Sequence, residues 1–255
     1  MRAFDLSGRR AVVVGGTSGI GRALALGLAD AGADVAATGR RESLVDAVAG
    51  EIESRGRRTI RMAADVGDVT SLERLRDRIV NELGGLDILV CAAGITKRVP
   101  TLDMDEADWT RILDTNLTGT LRACQVFGRQ MVSQGSGRII TIASLTSFLG
   151  MFEVAAYGAS KSAVAGLTRA LAVEWASMGV TVNAILPGVF KTDLNRALLE
   201  SPRGQEFLLR TPMRRFGRIE ELVGAAVFLA SDAASFVTGH LLAVDGGFLA
   251  SGVNQ

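Results

Sequence analysis

Tyr157 and Lys161 stand four residues apart in Ala156-Tyr157-Gly158-Ala159-Ser160-Lys161, so on a helix they share a face, one turn apart. A phenol titrates near pH ~10 in water. An ammonium one turn away favours the phenolate and draws that value toward neutrality, where proton exchange with an alcohol or carbonyl becomes useful. Ser144 follows the apolar run 138–143, which reads as a buried strand. A hydroxyl at a strand end could share a substrate oxygen with Tyr157. Alone, a Tyr–Lys pair at this spacing is ordinary helix surface; what the chain places around it decides.

Other elements must hold such a pair against a cofactor, and the chain supplies them in order. Arg10–Val14 reads as a strand that stops at Gly15-Gly16-Thr17-Ser18-Gly19-Ile20-Gly21, after which helical spacing runs from Ile20 to Ala31 and ends at Gly32. Strand, glycine turn and helix N-terminus together suit a dinucleotide pyrophosphate, with Gly15, Thr17, Ser18, Gly19, Ile20 and Gly21 as its candidate contacts. A second strand, Asp34–Thr38, ends at Gly39-Arg40-Arg41. That strand end faces the adenosine ribose in this architecture. An acidic residue there would bind a 2′-hydroxyl, whereas Arg40 and Arg41 suit a 2′-phosphate by charge and forked geometry. The expectation is NADP(H) over NAD(H), which stays possible; the plainer reading is a solvated start to the next helix.

The pattern continues with a helix over 43–55, a third strand over 59–63, and Asp65-Val66 where adenine would lie. Next come a helix over 71–83 with Ser71 as N-cap, and a strand over 86–91 leading to Ala92-Ala93-Gly94. Ala93 and Gly94 would let the nicotinamide side approach the backbone, or serve tight packing. A long helix within 105–134 carries Asn116, either inward with a purpose or on the surface. After the helix over 156–178 a strand, 181–186, ends at Pro187-Gly188; residues 189–212 break the rhythm as a substrate-lid insertion. A helix over 219–229 and a strand over 241–244 complete an α/β pattern. It predicts a single-domain Rossmann fold, with a doubly wound parallel sheet of about seven strands and helices on both faces.

With 255 residues, 48% of them hydrophobic, the chain can bury one sizeable core. A net charge of +1 without blocks of like charge argues against a nucleic-acid partner. No stretch reads as a signal peptide or membrane span. Cys91 and Cys124 lack metal-ligand spacing and read as reduced core residues, and the single His240 excludes a site built from several histidines. The expectation is a soluble cytoplasmic protein acting on a small molecule, without a metal.

Taken together, these residues resemble the short-chain dehydrogenase/reductase family along essentially the whole chain. Gly15-x-x-x-Gly19-x-Gly21 matches its cofactor loop. Asn116, Ser144, Tyr157 and Lys161 match its catalytic tetrad, and Pro187-Gly188 with Thr192 its nicotinamide-contacting segment. The resemblance implies that Tyr157 is the acid/base, and that Lys161 lowers its pKa and holds the nicotinamide ribose. It further implies that Ser144 orients the substrate oxygen, Asn116 positions a proton-relaying water, and the long helices build a homotetramer. Two departures stand out: Val14 replaces a threonine, and Cys91-Ala92-Ala93-Gly94 replaces Asn-Asn-Ala-Gly. The stretches 93–98, 187–193 and 239–247 look most like gluconate 5-dehydrogenase and related sugar-acid dehydrogenases. On that likeness Lys97 or Arg98 would clamp a substrate carboxylate, or both would be solvated loop residues. The same motifs also fit a 3-oxoacyl-acyl-carrier-protein reductase, or a cofactor-binding protein without turnover.

Overall fold

The computed structural model describes residues 2–191 and 200–252. Six parallel strands form one sheet: β1 (Arg10–Val14), β2 (Asp34–Thr38), β3 (Ile88–Cys91), β4 (Gly137–Ile142), β5 (Val180–Pro187) and β6 (Leu241–Val244). Their spatial order is β2-β1-β3-β4-β5-β6. The chain therefore reverses its direction of travel across the sheet after β2, which opens a crevice at the strand C-termini next to β1. The strands are apolar on both faces, as a sheet covered on both sides requires. Ala11 and Val13 pack with Leu24 and Leu28 of α1 (Gly19–Asp30) and with Leu229 of α8 (Val223–Ala230). Val12 and Val14 face the other way, in one cluster with Leu72 and Leu75 of α3 (Val69–Leu83) and Phe127 of α5 (Gly119–Gln134). Helices α2 (Glu42–Glu53), α4 (Glu106–Leu113), α6 (Ala155–Trp175) and α7 (Pro202–Arg210) complete the described set.

Three local expectations need correction. The strand expected over 59–63 does not form, so the sheet has six strands rather than about seven. The segment follows β2 as a strip, accepting from Val35 N–H at Arg58 (3.0 Å) and donating from Ala64 N–H to Gly39 (3.1 Å). Its middle is held by the Thr38 hydroxyl, which donates to the Met62 carbonyl at 2.8 Å, a side-chain bond replacing a ladder rung. Ser71 is not the cap of α3, whose N-cap position is Asp68; its hydroxyl instead accepts from Asp65 N–H at 3.1 Å. Finally, the long helix around Asn116 is interrupted by a π turn, Asp114–Thr118, which separates α4 from α5. The widened turn, closed by Gly119 N–H on the Asp114 carbonyl, sets Asn116 inward and fully buried.

Candidate active site

Every strand of the sheet ends at the same edge, and most of the sequence-predicted residues among those described collect there because they follow a strand end or open a helix. Gly15 has φ +81°, and a Cβ there would lie 2.5 Å from Ala93 N; at Gly21 one would lie 2.1 Å from the Gly15 carbonyl oxygen. These two glycines let the β1 turn, α1 and the β3 turn close on one another. Gly19 differs: at φ +51° it has nothing within 4 Å of its Cβ position and is exposed. Ser18 occupies the N-cap of α1 without capping it through its side chain. The first-turn N–H groups are thus presented outward, the arrangement that receives a phosphate. Thr17 is buried beside Gly39. Arg40 and Arg41 are exposed at the end of β2, and neither has an ion-pair partner among the described residues. Asp65 is half-buried, its carboxylate turned back onto Gly67 N–H at 2.9 Å, and Val66 is buried. This loop, helix end and pair of free guanidiniums fit a phosphorylated dinucleotide.

Tyr157 and Lys161 lie in the first turns of α6, with the lysine Nζ 5.8 Å from the phenol ring centre. The Ser144 side chain lies beside the Tyr157 phenol, close enough to lower its pKa, and its hydroxyl accepts from Thr146 N–H at 3.2 Å. Lys161 is buried, and its Nζ donates to the Ile142 carbonyl at 2.6 Å, two residues before Ser144. Asn116 uses its whole side chain: Oδ1 accepts from Ile95 N–H at 2.8 Å, while Nδ2 donates to the Ile95 carbonyl (2.9 Å) and the Ser160 hydroxyl (3.0 Å). Ser160, which the motif spacing does not single out, in turn donates to the Tyr157 carbonyl at 2.7 Å. Its signal is its position three residues after Tyr157, where a helical serine can bond back to the preceding turn. Gly94 sits against this cluster, its Cβ position 3.4 Å from Asn116 Oδ1 and 3.6 Å from Lys161 Nζ. The structure therefore brings Gly94, Asn116, Ser144, Tyr157 and Lys161 together.

Electrostatics correct one expectation. Lys161 does not draw Tyr157 toward neutrality here. Burial pushes the phenol above its ordinary value, and the neighbouring Ser144 hydroxyl only partly opposes that. Burial also pulls Lys161 down, to about 8. The ammonium faces the Ile142 carbonyl, and its own desolvation is the dominant effect on it.

Pro187 ends β5, and Gly188 N–H continues the ladder onto the Val244 carbonyl at 2.9 Å; Thr192 lies outside the described residues. Lys97 and Arg98 are exposed beyond Gly94, but both are engaged. Lys97 pairs with Asp108, which also holds Arg111, and Arg98 Nε donates to Glu153 at 2.5 Å. Sequence spacing does not reveal those acidic partners, since they lie 11 and 55 residues away. Two cavities lie away from the tetrad. One of about 470 Å³ opens beside Arg57 and Leu83 near the strand N-termini, and one of about 360 Å³ lies beside Phe190 and Asp245. Cys91 and Cys124 are free, with sulfurs 4.0 Å apart. Among the described residues no cluster could hold a metal ion, and no helix is long and apolar enough to cross a membrane.

The family model described as enoyl-(acyl carrier protein) reductase matches residues 14–249. A short-chain type dehydrogenase/reductase from Mycobacterium marinum superimposes with a TM-score of 0.92 at 39% identity, covering 98% of each chain. The chain belongs to the short-chain dehydrogenase/reductase family. Among its relatives, 2-dehydro-3-deoxy-D-gluconate 5-dehydrogenase of Dickeya dadantii (strain 3937) is 39% identical over 98% of this chain and 99% of its own. A gluconate 5-dehydrogenase from Burkholderia cenocepacia J2315, solved in complex with NADP and tartrate, gives a TM-score of 0.94 at 38% identity, covering 98% of this chain and 99% of that one. Both departures of this short-chain dehydrogenase/reductase from its family pattern are accommodated in the sheet. Val14 is core, and Ala92 N–H still bonds the Val14 carbonyl at 2.8 Å.

Proposed function

We propose that the protein is an NADP(H)-preferring oxidoreductase acting on a secondary alcohol or ketone of a sugar acid or polyol. The observation that carries this reading is the Ser144–Tyr157 hydroxyl pair beside buried Lys161, at the strand edge where the α1 N-terminus and Arg40–Arg41 fit a phosphorylated dinucleotide. When bound, the nicotinamide gives or takes the hydride. Tyr157 Oη gives the proton to the substrate oxygen in reduction and takes it back in oxidation, and the Ser144 hydroxyl holds that oxygen in line. Lys161, charged at neutral pH, places a positive charge behind the phenol and presents donors toward a ribose. Asn116 clasps Ile95 and so fixes the backbone at Gly94, where small residues leave room for the nicotinamide. Arg40 and Arg41 take the 2′-phosphate, while Arg98 is the cation proposed to read a substrate carboxylate. Residues 189–212 are proposed as a substrate lid.

The sugar-acid class is supported by the names of full-length relatives, and the cofactor preference by the NADP bound in the Burkholderia enzyme. Exposed apolar side chains on α4 and α6, Trp109 and Val173, support assembly as a homotetramer. The two unbridged thiols suit a reducing, cytoplasmic compartment. A 3-oxoacyl-acyl-carrier-protein reductase is the second reading, supported by the acyl-carrier description of the matching family model. Assaying the purified protein with NADPH and with NADH against keto-sugar acids, neutral ketoses and acyl ketones decides between them. Preferred turnover of an acyl ketone would displace the sugar-acid reading.

A further inference from the structure

Arg98 is the cation nearest to the role of carboxylate reader, yet it already holds a carboxylate. Its Nε donates to Glu153 at 2.5 Å, with 53% of the arginine side chain exposed against 18% of the glutamate's. Glu153 is no casual surface partner. It is one of two non-glycine residues at positive φ among the described residues (64°), a backbone setting that persists only where its surroundings hold it. Its carbonyl accepts Val99 N–H at 2.9 Å, so the strap after Gly94 is pinned to it by main chain as well as by Arg98. On its other side, Arg203 of α7 donates through Nη2 to the Phe152 carbonyl at 2.9 Å. Glu153 thus lies where three segments meet: the strap after β3, the loop between Ser144 and Tyr157, and helix α7.

We propose that Glu153 is a specificity-determining residue, an internal carboxylate that holds Arg98 until the carboxylate of a keto-sugar acid displaces it. This rests on the sugar-acid reading above and deepens it. A substrate carboxylate must compete with Glu153 for the same guanidinium, so the acid binds less tightly than an unpaired arginine would allow. An uncharged ketose or polyol makes no such exchange. Glu153 therefore narrows the advantage of the acid over its neutral analogue.

The test is steady-state kinetics with NADPH on a keto-aldonate and on its uncharged ketose analogue, in wild type, Glu153→Gln, Arg98→Ala and the double variant. Glutamine keeps the length and an acceptor oxygen at position 153 but removes the charge. Glu153→Gln is expected to lower KM for the acid by roughly twofold to fivefold, the range for an ion pair half open to water, with the neutral analogue unchanged. Arg98→Ala should raise KM for the acid and abolish the effect of Glu153→Gln, the non-additivity of groups in contact. An unchanged or raised KM for the acid in Glu153→Gln overturns the competition, as does an effect that persists without Arg98. No turnover of the acid by wild type and Glu153→Gln alike overturns the sugar-acid reading, and the competition with it.

Discussion

Replacing Lys161 with methionine should abolish turnover yet make the cofactor-free protein more stable at neutral pH. Burial brings its ammonium from 10.5 to about 8. At 1.36 kcal/mol per pH unit, holding the charged form inside costs about 3 kcal/mol at pH 7. Methionine carries no charge there, but leaves the Ile142 carbonyl without its donor, a loss of roughly 1–3 kcal/mol. The net gain reaches about 2 kcal/mol at the low end of that loss, or roughly 4–8 °C in Tm for a chain of this size. The pH dependence follows from where each state releases the proton. An unfolded lysine keeps it to about pH 10.4, whereas the folded one releases it near 8. Between those values the unfolded chain binds more protons, so wild-type stability rises with pH and the advantage of the variant shrinks toward pH 10. Denaturant unfolding of both proteins at pH 7 and pH 10 measures this. A variant less stable than wild type at pH 7, or a difference equal at both pH values, refutes the reasoning.

Tyr157 is the only tyrosine in the chain, so phenolate absorbance reads it alone; without cofactor it should ionise above the ordinary phenol value, and later still in Ser144→Ala, where the opposing hydroxyl is gone. Ionisation below pH 10 would show that Lys161 outweighs burial after all. Tyr157→Phe should bind NADPH by fluorescence titration while turnover falls by roughly 10²–10⁴ or more. Arg40→Ala with Arg41→Ala should raise KM for NADPH and spare NADH, at roughly 1.5–3 kcal/mol for each charge-assisted hydrogen bond to the 2′-phosphate that is removed. An aspartate at Gly39 is a poorer probe, since its Cβ would lie 2.8 Å from Thr17 Oγ1 and disturb the glycine loop. Asn116→Ala leaves Ile95 N–H and its carbonyl without their partners and should destabilise the fold by roughly 1–3 kcal/mol, measured by denaturant unfolding.

Much of this was legible because it rests on local chemistry. The glycine turn, the arginines after β2 and the Tyr–Lys spacing each follow from residues adjacent in the chain. Helix and strand positions largely matched periodicity for the same reason. The segment 59–63 reads as a strand, but the Thr38 hydroxyl took the place of a rung, and no pattern encodes that competition. The π turn was hidden because a helix and a widened helix share their apolar spacing over one turn. The state of the phenol was misjudged because spacing shows a nearby charge but not the depth at which both groups lie. Partners far apart in sequence, such as Glu153 for Arg98, are brought together only by the sheet.

The strip along β2 bears on how the sheet comes apart. Among the described residues it gives that strand two backbone hydrogen bonds, at Val35 and just past its end at Gly39, whereas β1 is paired along its length on both sides. Amide exchange should therefore reach β2 before β1, through local opening that leaves β3, β4 and β5 intact. Gly39, Arg40 and Arg41 sit at the end of that strand, and Ser144 and the phenol sit three strands inward. Breathing of the edge would loosen the grip on a 2′-phosphate while the proton-transferring pair keeps its geometry, so release of the cofactor need not disturb the groups that do the chemistry.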